Sequence, residues 1–134
     1  MKTQFTSSGL EIVAFLAVFF AELQSAMLAV GFLIIADTFT GIWGAYREGG
    51  IHAITSRKLG RIITKLILYP LALIVAKVAQ QYLAPAIPWT DVTAGIIAVV
   101  EVKSIFENMG ALLGFNLWDR VKKAIWKDKP GKDD

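Results

Sequence analysis

The chain has no cysteine among its 134 residues, one histidine, and a charged share of only 19%. The missing cysteine excludes disulfide frameworks, thiolate metal sites and thiol nucleophiles. The single histidine, His52, sits in a glycine-flanked loop with no Ser/Asp or metal-ligand spacing around it, so neither a hydrolytic triad nor a zinc site can be built on it. No glycine-rich phosphate loop or zinc motif occurs, and Glu101 and Glu107 are too far apart along one helix for a tight carboxylate pair. The sequence therefore predicts no catalytic residue, no metal and no cofactor.

What is present is apolar. Hydrophobic residues make up 55% of the chain and mean hydropathy is +0.55, above the level of ordinary soluble domains. The predicted class is all-α: one integral membrane domain over 1–134, with three transmembrane helices at about 26–46, 62–83 and 92–115. The first is closed by Arg47, Glu48 and Gly49-Gly50. The second contains Pro70, a potential kink, and stops before Ala84-Pro85-Ala86-Ile87-Pro88; the third follows Thr90 and Asp91, either of which could cap it. Residues 117–127 read as a basic surface helix and 128–134 as a disordered tail. Residues 5–23 lack turn chemistry where they meet the first span, and their wheel, with Glu11 and Glu22 on one side and Phe15, Leu16, Phe19 and Phe20 largely opposite, suits an interfacial helix. A cleaved signal peptide and a fourth span are the alternatives.

The net charge of +3 does not point to nucleic acid, because the basic residues cluster beside apolar runs. Arg47, Arg57, Lys58 and Arg61 lie between the first two spans; Arg120, Lys122, Lys123, Lys127, Lys129 and Lys132 follow the third. That asymmetry predicts a multi-pass protein of the bacterial inner membrane with a cytoplasmic C-terminus and basic segments on the lipid surface. Trp43 and Tyr46, Tyr82 and Trp89, and Trp118 and Trp126 fit interfacial belts.

Glu22, Asp37, Lys65, Lys77, Glu101, Lys103 and Glu107 lie in or beside the apolar runs, where a lone charge costs a few kcal/mol. Matching depth predicts three interhelical pairs: Asp37 with Lys103, Lys65 with Glu107, and Lys77 with Glu101. Snorkelling of Lys65 and Lys77 to opposite surfaces is the simpler alternative for those two. On the third span, Ala98, Val99, Val102, Ile105, Phe106, Met109, Leu112 and Leu113 fill an apolar face; Glu101, Lys103, Ser104, Glu107 and Asn108 form a polar arc opposite. On the first, Asp37, Thr40, Gly41, Gly44 and Glu48 make a small, polar stripe suited to close packing. Both stripes can serve as a seam within one monomer or as surfaces exchanged between packed monomers and a water-lined oligomer.

Leu33-Ile-Ile-Ala-Asp37-Thr-Phe-Thr40-Gly41, followed by Gly50, Ser56 and Lys65, and then Glu101-Val-Lys-Ser104-Ile-Phe-Glu107-Asn108 with Gly114, resembles the phage holin family that includes toxin-secretion holins. The resemblance covers about Ala26 to Lys127. It implies a small inner-membrane protein that forms homo-oligomers and permeabilises the membrane so that an endolysin reaches the peptidoglycan. On that basis Asp37, Thr40, Gly41, Ser56, Glu101, Ser104, Glu107 and Asn108 are the functional candidates. Lys103 departs from the family pattern, where small or apolar residues are usual. The competing expectation is an antiholin or a membrane anchor in a larger phage or secretion assembly, without pore activity.

Overall fold

The fold is described from a computed structural model. It describes the backbone of residues 2–53 and 56–127, with side chains for 8–52, 56 and 59–126. The side chains of Arg57, Lys58 and Lys127 and the predicted tail 128–134 lie outside the described residues.

The described residues form four α-helices: α1 (Lys2–Gly49), α2 (Ser56–Val78), α3 (Trp89–Leu113) and α4 (Leu117–Lys127). α1 runs for 48 residues without a break, so the interfacial helix predicted for 5–23 and the first predicted span are one element. The reason is local: Ala21-Glu-Leu-Gln-Ser-Ala-Met-Leu28 is made almost entirely of good helix formers, and nothing there ends a helix. α1 stops at Gly50, whose φ of +66° only glycine adopts cheaply, and a 3-10 turn, Gly50–Ala53, follows. His52 sits exposed in that turn.

α2 continues through Pro70 and leads into a π-helical turn, Ala79–Leu83. The Ala84 N–H donates to the Ala79 carbonyl and the Ile87 N–H to the Ala84 carbonyl. Pro88, at φ −78° and ψ 65°, forms a tight three-residue turn in which the Trp89 N–H donates to the Ile87 carbonyl at 2.8 Å. α3 therefore starts without the Thr90 or Asp91 cap predicted from sequence. Its first-turn donor, the Thr90 N–H, is met instead by the side-chain carbonyl of Gln80, a half-buried residue within the π-turn, at 3.0 Å.

α1 packs against both other long helices, and α2 packs against α3. Phe19, Leu23, Val30 and Ile34 recur at helical spacing on one face of α1 and form the core with Leu73 of α2 and Ile97 of α3. α1 and α2 are antiparallel, since Glu22 meets Lys77 while Asp37 meets Lys65. α1 and α3 run parallel, since Asp37 meets Asn108 and the Arg47 guanidinium donates to the Leu112 carbonyl near the ends of both helices. The N-terminal part of α1 extends past this bundle: Leu10, Ile12, Val13, Phe15, Leu16 and Val18 are all exposed. Among the described residues, α1 and α2 are the two helices long and apolar enough to cross a membrane. α3, at 25 residues, is slightly longer than α2 alone at 23 but carries Glu101, Lys103 and Glu107 from its midpoint on.

At the foot of α3 the chain turns sharply. Gly114, at φ +75°, is the left-handed cap, and the Phe115 N–H donates to the Gly110 carbonyl at 3.1 Å. Asn116 then caps α4, its side-chain oxygen accepting from the Asp119 N–H at 3.0 Å.

Candidate functional site

Burial concentrates the polar chemistry at one level of the bundle. The Lys65 ammonium, one helical face of α2, lies between two carboxylates: it donates to Oδ2 of Asp37 at 2.6 Å and to Oε2 of Glu101 at 2.8 Å. Glu101 is wholly buried, and its other oxygen accepts from the Tyr69 hydroxyl at 2.6 Å. Oδ1 of Asp37 accepts from the Asn108 amide at 3.1 Å, and the same amide reaches Oγ1 of Thr40 at 3.3 Å. The Thr40 hydroxyl itself donates back to the Ala36 carbonyl at 2.9 Å, the usual way a mid-helix threonine satisfies its proton. Every carboxylate oxygen in this group thus accepts from a donor on another helix, the condition under which buried charge is tolerated.

Gly41 eases the approach. A Cβ there would stand 3.3 Å from Nδ2 of Asn108, so with any side chain at this position the Asn108 amide would have to give way by a few tenths of an ångström. Gly44, one turn on, has open space around its would-be Cβ and sets no such limit. Gly41→Val is therefore expected to push the Asn108 amide off Asp37 and Thr40, at about 1–3 kcal/mol. Thermal unfolding in detergent micelles should show a clear drop for Gly41→Val and little change for Gly44→Val.

The three predicted pairs are not the ones formed. Lys65 takes Asp37 and Glu101 rather than Glu107; Lys77 pairs with Glu22 rather than Glu101; Lys103 pairs with Glu107 on its own helix at 2.7 Å rather than with Asp37. Both depth and direction around the helix differ from the expectation: Glu101 lies level with Lys65 rather than with Lys77, which is twelve residues, about 18 Å, further along α2. At 100° per residue Glu101, Ser104 and Asn108 fall within about 60° of one another, while Lys103 and Glu107 lie about 130° and about 90° from the middle of that group. The polar arc of α3 is thus split. Its inner edge joins the bundle, and its outer edge, Lys103 and Glu107, is about half exposed on the far side. Lys77 finds Glu22 because α1 continues unbroken past the predicted helix boundary.

The small polar stripe of α1 faces α3 through Asp37, Thr40 and Gly41, whereas Glu48 is exposed. Tyr69 was missed from sequence: one turn after Lys65 on α2, it shares that residue's face. Among the described residues no group of three His, Cys, Asp or Glu side chains comes together as a metal site would require. On α4, Lys122 pairs with Asp119 at 2.7 Å and holds that carboxyl below the usual carboxylate range. Being a lowered acid, its contribution is present at neutral pH and is lost only as pH falls through the lowered value. Arg120 stacks over the Phe115 ring at 4.7 Å, and Trp118 lies against Phe106 of α3, so the short basic helix is tied back to the bundle by aromatic contacts.

Residues 14–127 match the family model of the bacteriophage holin family. The chain belongs to that family. No curated protein and no solved structure matches it. Holin-family proteins are non-enzymatic membrane proteins, so the buried cluster of Lys65, Asp37 and Glu101 in this holin-family chain is not an active site. The match begins inside α1 at residue 14 and runs to the end of α4, and it includes all the residues that meet around Lys65.

Proposed function

We propose that this holin-family protein accumulates in the bacterial inner membrane with α1, α2 and α3 crossing it and the C-terminus in the cytoplasm. There, copies associate into a lesion through which an endolysin reaches the peptidoglycan. The single observation that carries the association is the Lys103–Glu107 pair, about half exposed on the outward face of α3. Both residues lie within the stretch that would face acyl chains in a lone bundle. A charged pair there costs a few kcal/mol even when its members bond to each other. Against a second copy, or along a water-filled lumen, that cost is removed. A modest difference between the two environments is enough to shift the population once the surface density of the protein is high.

The membrane placement is supported by spacing. From Glu22, which meets Lys77, to Trp43 at the other end of the bundle is about 32 Å at 1.5 Å per residue, close to the roughly 30 Å hydrocarbon core. Trp43 and Tyr46 are exposed at one level, and Tyr82 and Trp89 at the other, as interfacial aromatics should be. Arg47 and Arg61 lie toward the first level, which supports placing it on the cytoplasmic side.

Inducible expression should collapse the membrane potential, and co-expression with a cytoplasmic endolysin should lyse the culture. The double variant Lys103→Leu/Glu107→Leu should reach the membrane in undiminished amount yet fail to lyse, or lyse with a long delay. An intact potential at high expression of the parent would remove the lesion in favour of an antiholin or an anchor. Lysis on schedule by the double variant would place the lumen on another face.

A further inference from the structure

We propose that the cleft between α1, α2 and α3 beside the Lys65 cluster is a binding site for a phosphate oxyanion, supplied by the headgroup of an anionic lipid. The cleft has a volume of about 180 Å³ and is lined by Asp37, Arg61, Lys65, Ser104 and Asn108 among others. Most of that polar lining is already committed. Asp37 has one oxygen on Lys65 and the other on Asn108, and Lys65 is shared between two carboxylates. What remains is a set of donors on two walls. Arg61, one turn before Lys65 on α2, has no hydrogen bond or ion pair among the described residues, and neither has the Ser104 hydroxyl on α3.

The chemistry of those donors selects the ligand. A cation would meet Arg61 and Lys65, with the lining carboxylate already taken. An apolar group would leave a guanidinium and a hydroxyl unsatisfied in a site partly withdrawn from water. A tetrahedral oxyanion offers several acceptors, and a guanidinium fork binds two of them side by side. The volume admits a phosphate ester with part of its glycerol, whereas water alone would fill it with about six molecules at roughly 30 Å³ each. The lipid is the favoured source because Arg61 stands on the exposed face of α2, where the cleft opens between helices that the membrane would surround. This site rests on the membrane location of the chain and not on lesion formation.

The test uses the full-length protein in neutral detergent micelles, with bound lipid read by native mass spectrometry. Phosphatidylglycerol, a diacylglycerol of the same acyl chains, and inorganic phosphate are the probes. The parent should retain phosphatidylglycerol and not the diacylglycerol. Arg61→Gln should weaken retention about tenfold and Ser104→Ala about threefold, as the loss of a charge-assisted and of a neutral hydrogen bond implies. Arg120→Gln, which removes the same charge from α4, should change it less than about twofold. Displacement of the lipid by inorganic phosphate would keep the oxyanion site and make the free ion a competing occupant. Equal retention by parent and Arg61→Gln, or retention of the diacylglycerol as well as the phospholipid, would overturn the proposal.

Discussion

Lys65→Met should strip most of the protein from the membrane fraction, the largest effect expected of any single substitution in the bundle. The ammonium of Lys65 is the common partner of Asp37 and Glu101, and Glu101 has no exposure to solvent. Removing one partner of a buried pair costs about 3–5 kcal/mol, because the charge left behind is uncompensated. Here two carboxylates are left behind, facing each other across the gap. Against a total stability of about 5–15 kcal/mol, that is enough to unfold a large share of the molecules. Asp37→Asn and Glu101→Gln added to Lys65→Met should restore much of the loss, since both amides keep the shape of the acids and can still accept from Asn108 and Tyr69. Immunoblots of membrane fractions, with thermal unfolding of the purified variants, read both halves. Normal accumulation of Lys65→Met alone would mean that the three charges do not hold the helices together.

The network around Lys65 also bears on how copies could associate. The sequence leaves open whether the polar stripes of α1 and α3 are spent inside one monomer or exchanged between monomers. In the structure the α1 stripe is committed: Asp37 and Thr40 bond to Asn108, and Gly41 lies against it. Turning that stripe toward a lumen would break the Lys65 network, whereas turning the outer edge of α3 toward one breaks nothing. The proposed lesion is accordingly built from intact three-helix bundles that meet through Lys103 and Glu107, with the Lys65 cluster as a fixed internal clamp.

Much of this was legible in the sequence. Apolar runs of the right length located α2 and α3, the glycine pair at Gly49-Gly50 ended α1, and the charges within the runs marked the residues that would need partners. The motifs around Asp37 and Glu101 also resembled the family to which the chain belongs. The pairing was not legible, because neither the axial register between helices nor the direction around each follows from span length, and packing sets both: Glu101 lies level with Lys65, not with Lys77. Lys103 and Glu101 differ by two residues, so they point to nearly opposite sides. The continuity of α1 was obscured for a different reason: Glu11 and Glu22 give its first half the look of an amphipathic surface helix, yet Phe19 and Leu23 are core residues and Glu22 is the partner of Lys77.

Gly110, at the margin of the polar arc of α3, should tolerate substitution worse than the other glycines whose surroundings are described. A Cβ at this position would stand 2.7 Å from the Phe115 carbonyl oxygen and 3.3 Å from the Leu117 nitrogen. Both are backbone atoms, so no rotamer change relieves the contact, unlike the flexible amide that faces Gly41. The same residue supplies the carbonyl that accepts from Gly114 and Phe115 and so ends α3. Adding one methyl group therefore forces the chain after α3 to swing away, and with it go the left-handed cap at Gly114 and the tilted ring contact of Trp118 with Phe106. Gly110→Ala should cost about 1–3 kcal/mol as an overpacked contact and free α4 from the bundle. Protease cleavage between α3 and α4 should become fast in the variant while α1 to α3 stay resistant. Gly95→Ala, on the same helix with open space around it, should be neutral or slightly stabilising, since alanine is the better helix former. If Gly110→Ala cleaves no faster than Gly95→Ala, the connection does not fold back over α3, and the aromatic contacts alone would have to hold the basic helix in place.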